Sequence, residues 1–334
     1  MVATKLIVIL GATGNQGGSV AEVFLREPQW RVRAVTRNPT STKAQALAAR
    51  GAEVVQADLD SPSTLVSAFE NAHAIFAVSD FWGLYFNPAN QAKAKGQPLN
   101  VWAANHETEQ LKAVIAAAVG VPTLERFVLS SLSNATKWSQ GKYTHVYHFD
   151  SKAKAEVWGK ETYPELWKKT SIFQAGFFLS NFVSNPNFQP VMAAHGVAQF
   201  VGNLDPDLKL PFIAAEEDTG PIVKALVQEG AGKNVIGHRA WCTLRELSEA
   251  FSQASGTGAE CVMLHKGQSH VPVPPELSIE LDDNWAYCNE FGYEGRDDPT
   301  IIHPKDVIGL PPQLDNMVDY FKKQDWSKVL AQGK

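Results

Sequence analysis

Lys5-Leu6-Ile7-Val8-Ile9-Leu10-Gly11-Ala12-Thr13-Gly14-Asn15-Gln16-Gly17 is the stretch on which the fold turns. Leu6 to Leu10 is a short unbroken apolar run, the pattern of a strand buried on both faces of a parallel sheet. Glycines then recur as G-x-x-G-x-x-G, and Val20, Val23 and Phe24 follow at helical spacing. A glycine turn between strand and helix brings backbone N–H groups against a pyrophosphate at the positive end of the helix. Ordinary strands also end in glycine turns. The dinucleotide reading gains from the turn's place near the N-terminus and from the strand–helix repeats that follow it.

Those repeats run through the first 175 residues. Strands are predicted at 31–36, 52–57, 74–79, 126–131 and 170–174, and helices at 42–50, 101–118 and 151–158. Ser61 and Pro62 suit the cap and first position of another helix carrying Leu65, Val66 and Phe69, with Asp60 as an alternative cap. Residues 80–100 show no clear period. The pattern predicts an α/β fold: a Rossmann-type doubly wound parallel sheet with a smaller, partly interwoven C-terminal α/β domain. Residues 1–175 form the nucleotide-binding unit and 176–334 the substrate or partner domain, with a soft boundary and a late strand free to rejoin the main sheet. The second half holds many of the prolines, among them Pro272, Pro274, Pro275, Pro311 and Pro312. Two helices stand out there, Leu244–Ala254 and Leu314–Lys323.

Composition narrows the function. The chain of 334 residues is 44% hydrophobic and 19% charged, enough apolar material for a sizeable core. Its 30 basic and 35 acidic residues give a net charge of −5 with no basic block, which argues against direct nucleic-acid contact and anionic membranes. No apolar run approaches the roughly 20 residues needed to span a bilayer, and the N-terminus reads as a strand, not a signal peptide. Cys242, Cys261 and Cys288 are odd in number and far apart, so neither a disulfide framework nor a zinc site is expected. His265 and His270 lack a third ligand, and no metal is expected. A reducing, cytoplasmic setting follows, or a nuclear one if the role is regulatory.

The second strand selects the dinucleotide. A carboxylate about 20 residues past the glycines would bind the ribose of NAD. Here Arg37 stands 20 residues after Gly17, where a guanidinium can pair with a 2′-phosphate. The expected cofactor is NADP(H), against the plainer reading of a solvated arginine at a strand end. Asp58, followed by Leu59, can accept from the adenine amino group or cap a helix.

The glycine turn with Gln16, Arg37-Asn38, Asp58-Leu59, Val78-Ser79-Asp80-Phe81-Trp82, Phe127-Val128-Leu129-Ser130-Ser131 and His148-Phe149-Asp150-Ser151-Lys152 together resemble the NmrA-like family, an atypical branch of the short-chain dehydrogenase/reductases. The likeness covers residues 4 to 185 and continues more loosely beyond. It implies NADP(H) in an extended groove, with Ser79, Asp80 and Phe81 along the cofactor. It also implies Lys152 at the nicotinamide ribose and Phe177 to Asn181 at the nicotinamide end.

Ordinary members of that superfamily carry a Tyr four residues before the Lys, as the proton donor. Here that position is His148, while Tyr147 would sit roughly 140° away from Lys152 on a helix. An imidazole is a competent acid at neutral pH. If Asp150 or Ser151 caps the helix, however, His148 lies in the preceding loop and serves a structural or cofactor-contacting role. Ser131 and Ser133 are candidates to bind a carbonyl, or simple loop formers. Two functions therefore compete. One is an NADPH-dependent reductase of a carbonyl, imine or activated double bond in a small hydrophobic substrate, with Lys152 and His148 as catalytic residues. The other is a redox sensor that binds NADP(H) and a regulatory protein such as a transcription factor. The aromatic residues Phe81, Trp82, Tyr85, Phe86, Phe177, Phe178 and Phe182 form either an apolar pocket or a core between domains.

Overall fold

The computed structural model describes residues 4–307 and 316–331. Its centre is an eight-stranded parallel sheet. Six strands come from the first half: β1 (Lys5–Ile9), β2 (Trp30–Thr36), β3 (Glu53–Gln56), β4 (Ala74–Ala77), β5 (Arg126–Ser131) and β6 (Thr170–Ala175). They lie in the order 3-2-1-4-5-6, and Asn234–Gly237 then Ile301–Ile302 extend the sheet beyond β6. The return of a late strand, anticipated from sequence, thus happens twice.

β1 shows why the apolar run had to be a strand. Leu6, Val8 and Leu10 enter the core on one face of the sheet, and Ile7 and Ile9 the core on the other. With period two and both faces covered, neither set has room for a polar residue. One face is covered by α1 (Asn15–Phe24) and the helix Ala215–Gln228. These two approach so closely that a Cβ on Gly220 would fall 2.3 Å from the Ser19 carbonyl oxygen. The other face carries α3 (Pro62–Phe69), α5 (Leu99–Val119) and the helix Tyr147–Thr162, while α2 (Thr42–Ala49) links β2 to β3.

Several expectations need correction. The helix expected at 151–158 begins a turn earlier, at Tyr147, because neither proposed cap is free to cap it. The Asp150 carboxylate accepts from the Thr136 backbone N–H and hydroxyl, and the Ser151 hydroxyl donates to Glu107. His148 is therefore helical and stands four residues before Lys152 on the same face. Ser61 does occupy the cap position of α3 but makes no capping hydrogen bond, and Asp60 instead accepts from His106 and Gln110 on α5. The stretch at 80–100 holds α4 (Phe81–Tyr85) and two single 3-10 turns, elements too short to show a period. Leu244–Ser255 forms as expected, with a capping box between Thr243 and Glu246. Of the helix expected at 314–323, Met317–Lys322 is seen, whereas residues 314 and 315, like Pro311 and Pro312, lie outside the described residues.

Two small three-stranded sheets and an aromatic core that includes Phe149, Phe182, Phe200, Phe212 and Phe251 make up much of the rest. The helix Pro275–Phe291 had no counterpart in the sequence reading. It starts with proline at its first position and runs past the carboxyl side of the sheet. Among the described residues, no helix is long and apolar enough to cross a membrane.

Candidate active site

The strand order reverses between β1 and β4, and in open parallel sheets that switch point opens a crevice at the carboxyl ends of the strands. Here the crevice is a groove of about 460 Å³ lined by Gly11, Thr13, Gly14, Asn15, Gln16 and Gly17 from the glycine turn. Gly11 takes φ +61°, a left-handed conformation that favours glycine, and a Cβ on Gly17 would lie 2.3 Å from the Gly11 carbonyl oxygen. These two glycines let the chain double back into α1. Gly14 caps α1 without a side-chain bond, so the first-turn N–H donors are left for a ligand. Gln16 is fastened to β5 by the Ser130 hydroxyl, 2.7 Å from its Oε1.

Arg37, at the end of β2, and Asp58 and Leu59, after β3, line the far end of the groove. Arg37 is exposed and makes no side-chain ion pair among the described residues; only its carbonyl is engaged, by Gln56. Asp58 Oδ1 accepts from the Asp60 N–H, an Asx turn leading into α3. Asp58 therefore does not cap α3, whose cap position is Ser61, and it borders the groove.

Ser79 and Asp80 follow β4 and line both this groove and a second cavity of about 710 Å³, as do Gln16 and Phe178. The Ser79 hydroxyl is buried with no hydrogen-bond partner among the described residues, an unmet polar group where the two spaces join. Asp80 caps α4 through the Gly83 N–H at 2.9 Å. That cap sets Trp82 over the cavity, its ring 4.8 Å from the ring of His148.

The aromatic residues divide between the two roles foreseen for them. Phe81, Tyr85, Phe177 and Phe182 are buried in hydrophobic clusters, although Phe81 and Phe177 also reach the cavity wall. Trp82, Phe86 and Phe178 line the cavity more openly, joined by Phe188 and Trp285. Asn181, at the start of the short helix Asn181–Ser184, borders the same space.

Lys152 and His148 both line the cavity. Lys152 Nζ donates to Glu107 Oε1 at 2.7 Å and to the His148 carbonyl at 3.2 Å. His148 Nδ1 lies 2.7 Å from Glu280 Oε1. Both carboxylates are fully buried, and neither was singled out from sequence. Glu107 stood in plain view: Ala103, Glu107 and Leu111 recur at four-residue spacing on the buried face of α5, where a charge requires a partner. Ser130 and Ser131 also line the cavity, whereas Ser133 is taken up by a 2.5 Å hydrogen bond to the Tyr287 hydroxyl.

The phenols are poor acids here. Burial, with help from Glu276, pushes the Tyr85 hydroxyl up to about 12. Burial likewise raises Tyr147, with Glu280 and Asp283 adding to the effect.

Comparison with known proteins bears on the family and the fold. A family model described as the NmrA-like family matches residues 3–329. The chain is 30% identical over 270 residues to the NmrA-like family domain-containing oxidoreductase hkm9 of Aspergillus hancockii, covering 77% of this chain and 74% of that protein. Among solved structures, NmrA, a negative transcriptional regulator, in complex with NADP is similar with a TM-score of 0.73 at 21% identity, over 99% of this chain and 98% of that one. An NADPH-dependent quinone oxidoreductase from Escherichia coli, complexed with NADPH, is similar with a TM-score of 0.66 at 22% identity, over 95% and 99% of the two chains.

Proposed function

The chain belongs to the NmrA-like family, and from that premise we propose that it is an NADPH-dependent oxidoreductase reducing a carbonyl, imine or activated double bond of a hydrophobic metabolite. The observation that carries this reading is the continuity of the two spaces: Gln16, Ser79, Asp80 and Phe178 line groove and cavity alike. A dinucleotide laid along the groove would therefore end beside an apolar chamber.

The donor set suits that cofactor. The first-turn N–H groups of α1 take the pyrophosphate, and Arg37 takes the 2′-phosphate that distinguishes NADP(H). Ser79 offers its unpaired hydroxyl, and Lys152 its ammonium, towards the nicotinamide half. When bound, the nicotinamide supplies or accepts a hydride. The chain's own part is to orient the substrate between aromatic walls, exclude water, and provide a proton from His148.

The test is consumption of NADPH by purified protein against aldehydes, ketones, imines and enones. Turnover of any one class supports the reductase. Tight cofactor binding with silence across the panel supports the second reading, a sensor of the NADP(H) state acting on a regulatory protein. One observation favours that reading: His148 stands where reductases of the wider superfamily place tyrosine.

A further inference from the structure

The helix Pro275–Phe291 gives no residue to the groove, yet it lines the cavity through Leu277, Leu281, Asn284 and Trp285. Glu280, wholly buried on this helix, accepts three hydrogen bonds. Oε1 takes the His148 backbone N–H at 3.1 Å and His148 Nδ1 at 2.7 Å, and Oε2 takes Asn100 Nδ2 at 3.1 Å. Burying a carboxylate is costly unless its lone pairs are met, and here they are. Since Oε1 already accepts from a backbone N–H, the ring nitrogen facing it is the donor, which assigns the proton to Nδ1. Nε2 is then the ring atom left for the cavity that His148 lines. Rings of Trp82, Phe149 and Phe81, at 4.8, 4.8 and 5.8 Å, hold the imidazole in place.

One turn beyond Glu280, Asn284 lines the same cavity. It is 3% exposed, and its amide nitrogen has no hydrogen-bond partner among the described residues. The helix thus sets a carboxylate behind the His148 ring and an unmet polar group on the cavity wall beside it, an arrangement suited to a polar ligand atom.

The geometry points to a Glu280–His148 dyad in which Glu280 is the positioning residue and His148 Nε2, after taking up a proton from solvent, gives it to the substrate's carbonyl oxygen or imine nitrogen. This rests on the reductase reading. In each turnover the Nε2–H bond breaks and an O–H or N–H bond forms on the substrate, whose carbon gains the hydride and its electron pair. The imidazolium becomes neutral imidazole, still carrying its Nδ1 proton towards Glu280, and solvent restores the proton at Nε2. The other ionisable groups nearby are Lys152 paired with Glu107, Tyr85 beside Glu276, Tyr147 with Asp283 in its field, and two on the cavity wall: Asp80, which caps α4, and Tyr293, whose hydroxyl donates to the Ala175 carbonyl. Burial raises all three phenols, which makes each a weaker proton donor than an imidazole, and Tyr293 already donates to Ala175.

Nitrogen chemical shifts of histidine-labelled, full-length protein at neutral pH, without cofactor, report the tautomer directly. His148 is expected as Nδ1–H in the parent protein and as a mixture dominated by Nε2–H in Glu280→Gln. On an acceptor that consumes NADPH, Glu280→Gln should lower kcat at least about tenfold while KM for NADPH stays within about twofold, the signature of a lost transition-state contribution. An Nε2–H tautomer in the parent overturns the dyad even if the variant fails to fold, and so does an unchanged kcat in a folded Glu280→Gln. Failure of the reductase reading looks different: no acceptor consumes NADPH although Nδ1–H is seen, and proton donation is then overturned while the orienting contact stands.

Discussion

Lys152 Nζ and Glu107 Oε1 meet at 2.7 Å, tying the helix Tyr147–Thr162 to α5 through a pair whose carboxylate is wholly buried. The Ser151 hydroxyl occupies the other oxygen of that carboxylate. A lysine marked by sequence for cofactor contact is thus also half of an internal ion pair.

Removing only the lysine would leave Glu107 charged and uncompensated. Breaking one side of a buried pair costs about 3–5 kcal/mol. Lys152→Ala should therefore lower stability in urea melts by that order, whether or not cofactor is present. The double variant Lys152→Met, Glu107→Gln should regain most of the loss while NADPH titration stays weakened. A Lys152→Ala protein that melts with the parent would show that the pair contributes nothing.

Arg37 is the simpler experiment, because it has no internal ion pair to confound it among the described residues. Hydrogen bonds to charged groups contribute about 1.5–3 kcal/mol, or roughly ten- to a hundredfold in affinity. NADPH should bind the parent more tightly than NADH by that margin, and Arg37→Ala should erase most of the difference. Equal affinities in the parent would remove Arg37 from the phosphate site.

Asn284 should show a trade between stability and function. An unmet buried amide costs about 1–3 kcal/mol, and leucine has nearly the same outline. Asn284→Leu should raise the melting temperature and raise KM for a carbonyl substrate. A variant less stable than the parent, with unchanged KM, would mean that the amide serves packing alone.

His238 supplies a pH signature. Its imidazole is lowered to about 4, chiefly by burial, with His303 and Lys305 adding, and its Nε2 lies 3.1 Å from His303 Nδ1. A folded-state value below the unfolded one means that the unfolded chain takes up the proton first. Stability is then lost as pH falls from about 6.5 to about 4, and this contribution is constant above and below that window. Melting temperatures of His238→Phe should fall less steeply than the parent's over that window. Parallel curves would assign the acid sensitivity to other groups.

How far the sequence reached can be read from individual residues. Leu6–Leu10 and Gly11–Gly17 announce themselves because a doubly buried strand and a reversing turn each admit few residue types. The groove follows from local order along the chain, and the strand ends that line it lie near those turns in sequence. Glu280 and Asn284 were not legible in this way. Their helix, with Glu276, Glu280, Asp282 and Asp283 along it, has no clean apolar stripe, and its role depends on contacts with Asn100 and His148, distant in sequence. His148 itself could be placed four residues before Lys152 but not on a helix, since the competing demands on Asp150 and Ser151 come from Thr136 and Glu107.

The groove is lined by residues no later than Phe178, whereas the helix bearing Glu280 starts at Pro275. During translation the nucleotide cradle leaves the ribosome well ahead of the wall that faces the reacting group, and the N-terminal part of a nascent chain is the first able to fold. A polypeptide interrupted between those points would carry every groove-lining residue yet lack the carboxylate that aims the imidazole.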